Sequence, residues 1–353
     1  MPFDLKEHLK HLVESHSPSG HEASIREVIR TAWTPLVDSF EQDGLGSLIG
    51  IRRATRPLST PRKIMLAAHM DEIALMVRDI VDGFLYVQCV AGLDPRVMMA
   101  QPVLVHGRQM LPGVVATVPP HALRESERNK YPDAESLMID VGLPHDEVVR
   151  LVRIGDLVTP DTPLLEMEGD HLVGKAMDDR ACVAIVTAAL HHLQDMHHSW
   201  DVYAVATVQE ETGLFGAGTA AYHINPDAAI ALDVTFAPQP GVNGETSEIN
   251  SGPAIALGAN IHPRLYEHLT ATAKKYEIKY QVDPIAGATG TDAWSIQIAR
   301  EGIPTALLEL PLRNMHSPIE TVNLKDMERA ARLLAYAIAG LDETFLAAQD
   351  DKE

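Results

Sequence analysis

Residues 73 to about 164 break the chain in two, and that break constrains the fold more than any other feature. Short runs rich in Val, Leu and Ile, such as Leu75 to Val77, Phe84 to Gln88, Pro102 to His106 and Gly113 to Val118, alternate there with Gly and Pro turns. That texture predicts short β-strands throughout. On either side the rhythm differs. Upstream, Leu5, Leu9, Leu12 and Val13 fall at helical spacing until Ser17-Pro18-Ser19-Gly20 stops them. A second helix from about His21, a hairpin around Asp43-Gly44-Leu45-Gly46 and the apolar strand Lys63 to Ala68 follow. Downstream, strands at Val202 to Val208, Ala229 to Asp233 and Thr305 to Leu310 alternate with helices. Those helices run through Ala181 to Leu193, near Gly216 to His223, from His262 to about Tyr276, after Asp292, and from Leu324 to Phe345. The alternation predicts an α/β fold with a mostly parallel sheet covered by helices on both faces. Residues 1–72 and 165–353 are therefore expected to form one α/β domain, with 73–164 inserted as a small β-barrel-like domain. The charged loop 124–133 is expected to be mobile, and disorder is expected only in the tail 350–353.

Polar clusters sit where the apolar runs end. His69-Met70-Asp71 follows Ile64 to Ala68, Asp178-Asp179 opens an apolar helix, and Glu210-Glu211 ends a strand-like run at Thr207-Val208-Gln209. Asp233 follows Ala228 to Leu232, and His316 lies in Met315-His316-Ser317-Pro318. In open α/β sheets the carboxyl ends of strands are where sites form. Neighbouring side chains on an extended segment point to opposite faces, so Glu210 and Glu211 suit different tasks, one holding a metal and the other moving protons. Asp71, two residues past His69, returns to the histidine's face, where a carboxylate orients the ring. Each cluster alone has a plainer reading: His69 and Asp71 fit a capped histidine, and Asp178 fits a first-turn acid favoured by the helix dipole. The tract His191-His192-Leu193-Gln194-Asp195-Met196-His197-His198 resembles a metal site, but it ends a helix, where histidines favour the C-terminal dipole. It is left out of the site. Thr289-Gly290-Thr291-Asp292 carries capping residues at a helix start.

Six motifs occur in one order along the chain: His-Met-Asp-Glu at 69–72, Lys-Ala-Met-Asp-Asp-Arg at 175–180, Gln-Glu-Glu-Thr-Gly-Leu-Phe-Gly-Ala at 209–217, Leu-Asp-Val-Thr at 232–235, Gly-Thr-Asp-Ala at 290–293 and Met-His-Ser-Pro-Ile-Glu at 315–320. Together they resemble the tetrahedral or deblocking aminopeptidases, di-metal exopeptidases grouped with the glutamyl aminopeptidases, some of which are described as cellulases. The resemblance implies a di-zinc exopeptidase fold whose inserted domain serves oligomerisation and access. It implies one metal held by His69, Asp178 and Asp233 and a second by Asp178, Glu211 and His316, with Asp178 bridging, Glu210 as general base and Asp71 beside it in catalysis. Three carboxylates and two histidines for two divalent ions suit zinc first, then cobalt or manganese. The implied partners are short peptides as substrates and further copies of the chain in a homododecamer, with Thr289 to Asp292 near the site. The chain departs from the family pattern at Asp179, where relatives carry Asn, at Asn314, where an aromatic is expected, and along Phe236 to Pro240. Arg313 suits either acidic substrates or a structural role.

Composition excludes other classes. A formal charge of -20 repels nucleic-acid phosphate and anionic membranes. No window approaches the roughly 18 apolar residues of a membrane span, and the first residues lack a basic segment followed by an apolar one. Cys89 and Cys182 are far apart and form no metal-binding pair, which suits a reduced cytoplasm. The expected function is a cytoplasmic metallo-aminopeptidase acting on short peptides. One alternative is a deacylase or glycosidase on the same metal core, separable by a chelator because glycosidases usually work with two carboxylates. Another is a non-catalytic assembly protein, which the presence of Glu210 beside every ligand disfavours.

Overall fold

The computed structural model describes residues 3–345 apart from 117, 127–129, 131, 132, 134 and 135. Much of the charged loop at 124–133 and the whole tail at 350–353 lie outside the described residues. The main sheet has eight strands in the order Ser39–Gln42, Leu48–Arg52, Asp201–Thr207, Lys63–His69, Ala228–Phe236, Thr305–Leu312, Ala254–Gly258 and Gln281–Ile285. Its central strands, from Asp201–Thr207 to Thr305–Leu312, run parallel, and antiparallel pairs flank them. The central runs are apolar along their whole length because both faces are covered. Alternate residues divide between two cores: Ile64, Leu66 and Ala68 join the cluster beneath the helices Leu5–Val13, Ala23–Trp33, Met177–Leu193 and Leu324–Ala339. Met65 and Ala67 join a smaller one beneath Phe215–Ile224 and Asp292–Ile296.

Between Ala74 and Pro160 six strands close into a barrel, ordered Ala74–Val81, Phe84–Val90, Met138–Asp140, Met110–Ala116, Pro102–His106 and Leu157–Pro160. It carries its own apolar core, with Leu75, Val87, Val105 and Ile139 fully buried. The chain re-enters the α/β part through a three-stranded sheet, Leu165–Met167, His171–Gly174 and Glu320–Asn323. Three features differ from the sequence expectation. That small sheet is one. The edge pair Ala254–Gly258 and Gln281–Ile285 is another, hidden because Gln281–Ile285 alternates polar residues and contains Pro284, which only an edge strand tolerates. The last helix ends at Ala339 and not at Phe345, closed by Gly340 with its N–H bonded back to the carbonyls of Tyr336 and Ala337.

Candidate metal centre

His69 closes its strand level with Thr207 on the neighbouring strand, so the residues after Thr207 lie over the same sheet end. Asp71 anchors them: its two carboxylate oxygens accept the backbone N–H groups of Glu210 (3.1 Å) and Glu211 (3.3 Å). Burial pushes the Asp71 carboxyl up, but His69, the Ser19 hydroxyl and the Glu210 N–H outweigh it and hold it below the usual range. Its Oδ1 is 3.5 Å from His69 Nδ1, which leaves Nε2 facing the carboxylates.

Asp178 stands between the two histidines. Its Oδ1 lies 3.0 Å from His69 Nε2 and its Oδ2 lies 3.4 Å from His316 Nε2, which is also 3.5 Å from Glu211 Oε2. Glu210 Oε2 lies 3.8 Å from His69 Nε2. Donor atoms of His69, Asp178 and Glu211 fall within 4.8 Å of one another, as do those of His69, Glu210 and Asp233. All seven site residues expected from sequence therefore converge, with Glu210 closer to His69 and Asp233 than its separate role suggested.

The electrostatics identify what the cluster can hold. Asp178, Glu210, Glu211, Asp233 and His316 line one cavity of about 770 Å³, and among the described residues no lysine or arginine lines it. Burial, reinforced by Asp233 and Asp292 and opposed by His69, pushes Glu210 up to about 11. Burial and Asp178 push Glu211 up to about 8 and Asp233 well above its usual range. The Asp178 bond raises His316 to about 9. Burial of this many carboxylates opposes their ionisation unless positive charge compensates, and mixed carboxylate and imidazole donors at strand ends suit borderline divalent ions. The residues present fit a metal centre.

Supports that sequence reasoning did not weigh surround it. Glu320, 1% exposed, accepts the backbone N–H of Asp178 at Oε2 (3.1 Å) and that of His316 at Oε1 (2.8 Å), clasping two ligand segments. Its place in the motif at 315–320 was the available signal. Left-handed backbone at Gln209 (φ 55°) and His316 (φ 59°) costs about 1–2 kcal/mol each. Bonds from their N–H groups to Glu22 and Glu320 hold it. The inserted barrel also reaches the site, although no sequence cluster lies within it. Nδ1 of His316 donates to the Gly92 carbonyl at 3.1 Å, and a Cβ on Gly92 would stand 2.6 Å from that nitrogen. Glycine is required there for this approach.

Asp179, where the resemblance implies asparagine, is fully buried, and its Oδ2 accepts the His69 N–H at 3.2 Å. Burial, with Asp233 and Asp178 beside it, holds its carboxyl well above the usual range. Its surroundings therefore oppose a charge on Asp179 beside Asp178. Thr289, Gly290 and Thr291 line the cavity, while Asp292 lies behind it and accepts the Thr207 hydroxyl at 2.5 Å. The histidine tract has local tasks: His191 stacks on Phe3 at 4.1 Å and buried His198 bonds the Trp200 carbonyl.

A buried ionic brace ties these turns to the N-terminal helix. Glu72 accepts Lys175 Nζ (2.6 Å) and Arg180 Nη2 (3.2 Å), and Arg180 also donates to the carbonyls of Met70, Leu12, Ser15 and Ser17. Burial opposes ionisation of Glu72, yet Lys175 and Arg180 pull it down to about 2, while burial draws Lys175 to about 8 in spite of Glu72. Both are charged at neutral pH, so the acid limb of stability belongs to Glu72. Glu72→Gln is expected to cost on the order of 3–5 kcal/mol at pH 7, because it strands two buried cations. Since the folded pKa lies below the ordinary 4.5, this contribution is complete above that value and fades as pH falls towards 2. Urea midpoints of wild type and variant should therefore converge across that window, and equal midpoints at pH 7 would remove the brace.

Comparison with known proteins follows the same lines. Residues 46–333 match the family model described as M42 glutamyl aminopeptidase. The chain is 37% identical over 337 residues to the lysyl aminopeptidase of Pyrococcus furiosus, covering 92% of this chain and 94% of that one. Among solved structures it resembles the TET aminopeptidase of a marine-sediment thaumarchaeote, with a TM-score of 0.90, 32% identity and 97% of each chain covered. It also resembles the TET1 peptidase of Pyrococcus horikoshii, which can assemble into a tetrahedron or a large octahedral shell. There the TM-score is 0.84 with 28% identity over 96% of this chain and 100% of that one.

Proposed function

Because this chain belongs to the M42 family of aminopeptidases, we propose that it removes N-terminal residues from short peptides with two divalent ions and Glu210 as general base. The observation that carries this reading is Asp178, with one oxygen towards His69 and the other towards His316. His69, Asp178 and Asp233 hold one ion, and Asp178, Glu211 and His316 hold the other. Bound there, such ions supply Lewis acidity, lowering the pKa of water and polarising the scissile carbonyl. Glu210 takes a proton from the attacking water as the C–O bond forms and passes it to the amine as the C–N bond breaks. Asp71 keeps the His69 ring oriented and both glutamate amides in place. Zinc is the expected metal, with cobalt or manganese as substitutes.

The barrel region 73–164 serves assembly and access in a homododecamer. Exposed Phe84, Met110 and Ile154 on it and the assembling Pyrococcus horikoshii relative support that reading. Cys89 and Cys182 are both free, and among the described residues no helix is long and apolar enough to cross a membrane, which is compatible with a cytoplasmic setting. The names of relatives point to opposite N-terminal preferences, lysyl and glutamyl, so neither is carried over. A panel of aminoacyl chromogenic amides tests the reading: free-amine substrates should be cleaved and their N-acetylated forms should not. Equal cleavage of both would make the protein a different hydrolase, and light scattering from a monomer would remove the assembly.

A further inference from the structure

One wall of the cavity has no task in this chemistry. Glu309 lies opposite Asp233 on the adjacent parallel strand, so both side chains rise on the same face. It is 4% exposed, lines the cavity, and its Oε2 has no hydrogen-bond partner. Asp283, from the edge strand, approaches it and is itself held by the Thr235 hydroxyl at 3.1 Å. Burial and then Asp283 push the Glu309 carboxyl well above its usual range. Glu245 adds a third, exposed carboxylate to the lining.

Glu309 and Asp283 face each other, one Glu309 oxygen has no partner, and a positive group placed between them would let both ionise. Val234, Phe236 and Ile285 line the same cavity, so apolar wall leads to acidic corner. That pairing matches a side chain with a long aliphatic stem and a charged tip. Arg313, which sequence offered as a partner for acidic substrates, is engaged elsewhere. Its Nε donates to the Pro238 carbonyl at 3.0 Å, and it lines a separate surface cavity with Lys6 and Glu166.

We infer that Glu309 and Asp283 receive the charged tip of a cationic N-terminal side chain, making this an aminopeptidase for peptides that begin with lysine or arginine. The inference rests on the aminopeptidase reading above. Asp233 stays with the metal centre, while Glu309, one strand over, sets which residue sits beside it. A glutamyl side chain placed there would meet three carboxylates and be rejected.

The test compares lysyl and norleucyl chromogenic amides, because norleucine keeps the four-carbon stem and lacks the ammonium. Wild type should favour the lysyl substrate in kcat/KM by about tenfold or more, and the ratio should narrow as salt is raised. Glu309→Gln and Asp283→Asn should each pull the ratio towards one, with Asp283→Asn, at a half-exposed position, less exposed to folding failure. Equal or better cleavage of norleucyl by wild type overturns the inference. So does a ratio unchanged in both variants, an equal loss on both substrates, which would assign the corner to the α-ammonium, or a lost metal ion in Glu309→Gln, which would make it a metal site. Failure to cleave any amide with any divalent ion would instead remove the aminopeptidase reading itself.

Discussion

Glu210→Gln should keep its metal content and lose turnover by a factor on the order of 100 to 10,000, the usual contribution of a general base. The variant preserves the size of the side chain and an oxygen that can lie near His69 and Asp233, but it cannot accept a proton. With no cation beside it, burial and neighbouring carboxylates push the Glu210 carboxyl up to about 11, and positive charge held by the cluster would bring it down to where it can take a proton. Glu211→Gln should behave differently. Its Oε2 lies 3.5 Å from His316 Nε2, on the side of Asp178 assigned to the second ion. Removing that charge should weaken one metal position, and excess metal should restore part of the activity, as it should not for Glu210→Gln. Elemental analysis and turnover on one aminoacyl amide, for both variants side by side, decide the matter. If Glu210→Gln loses metal and Glu211→Gln keeps it, the roles are reversed; if both keep full turnover, this pair is not the active site.

Exhaustive chelation should abolish activity, and added zinc, cobalt or manganese should restore it. The ligands should also fail in an order set by geometry. His316 is the most exposed of them, with 33% of its side chain accessible, and it faces only the Asp178 Oδ2 and Glu211 side. His316→Ala should therefore lose one ion while the other remains. Asp178→Ala should lose both, because Asp178 offers an oxygen to each histidine. Metal per chain across a dialysis series reads this out. Full activity after chelation, or two tightly held ions in His316→Ala, would sink the two-ion arrangement.

What sequence made legible was whatever local pattern encodes. The run Ile64 to Ala68 predicts a buried strand, and the polar residue that ends it, His69, falls at the sheet's carboxyl edge. The same reasoning located Asp233 and the glutamate pair. Spacing carried nothing about His316, which only the motif at 315–320 supplied. Contacts made across long separations stayed hidden. Glu320 clasps Asp178 over 142 residues, and Gly92 meets His316 over 224. Glu309 was invisible as a polar group because it sits inside the strongly apolar strand Thr305–Leu312, where composition registers only burial. The surroundings of Asp179 were hidden for a related reason, since residue type alone does not show the burial and the neighbouring carboxylates that oppose its charge.

The Gly92 carbonyl belongs to the chain segment that leaves the barrel strand Phe84–Val90, and it accepts the proton on Nδ1 of His316. A carbonyl can only accept, so this bond fixes the tautomer that turns Nε2 towards Asp178 and Glu211. The barrel is therefore not a detachable module. A transplant that replaced 73–164 with another barrel, or a short linker spliced across the gap to make a minimal enzyme, would keep every ligand in the sequence and still release one of them in space. A replacement barrel that keeps His316 in place should need to return a glycine carbonyl to the same point.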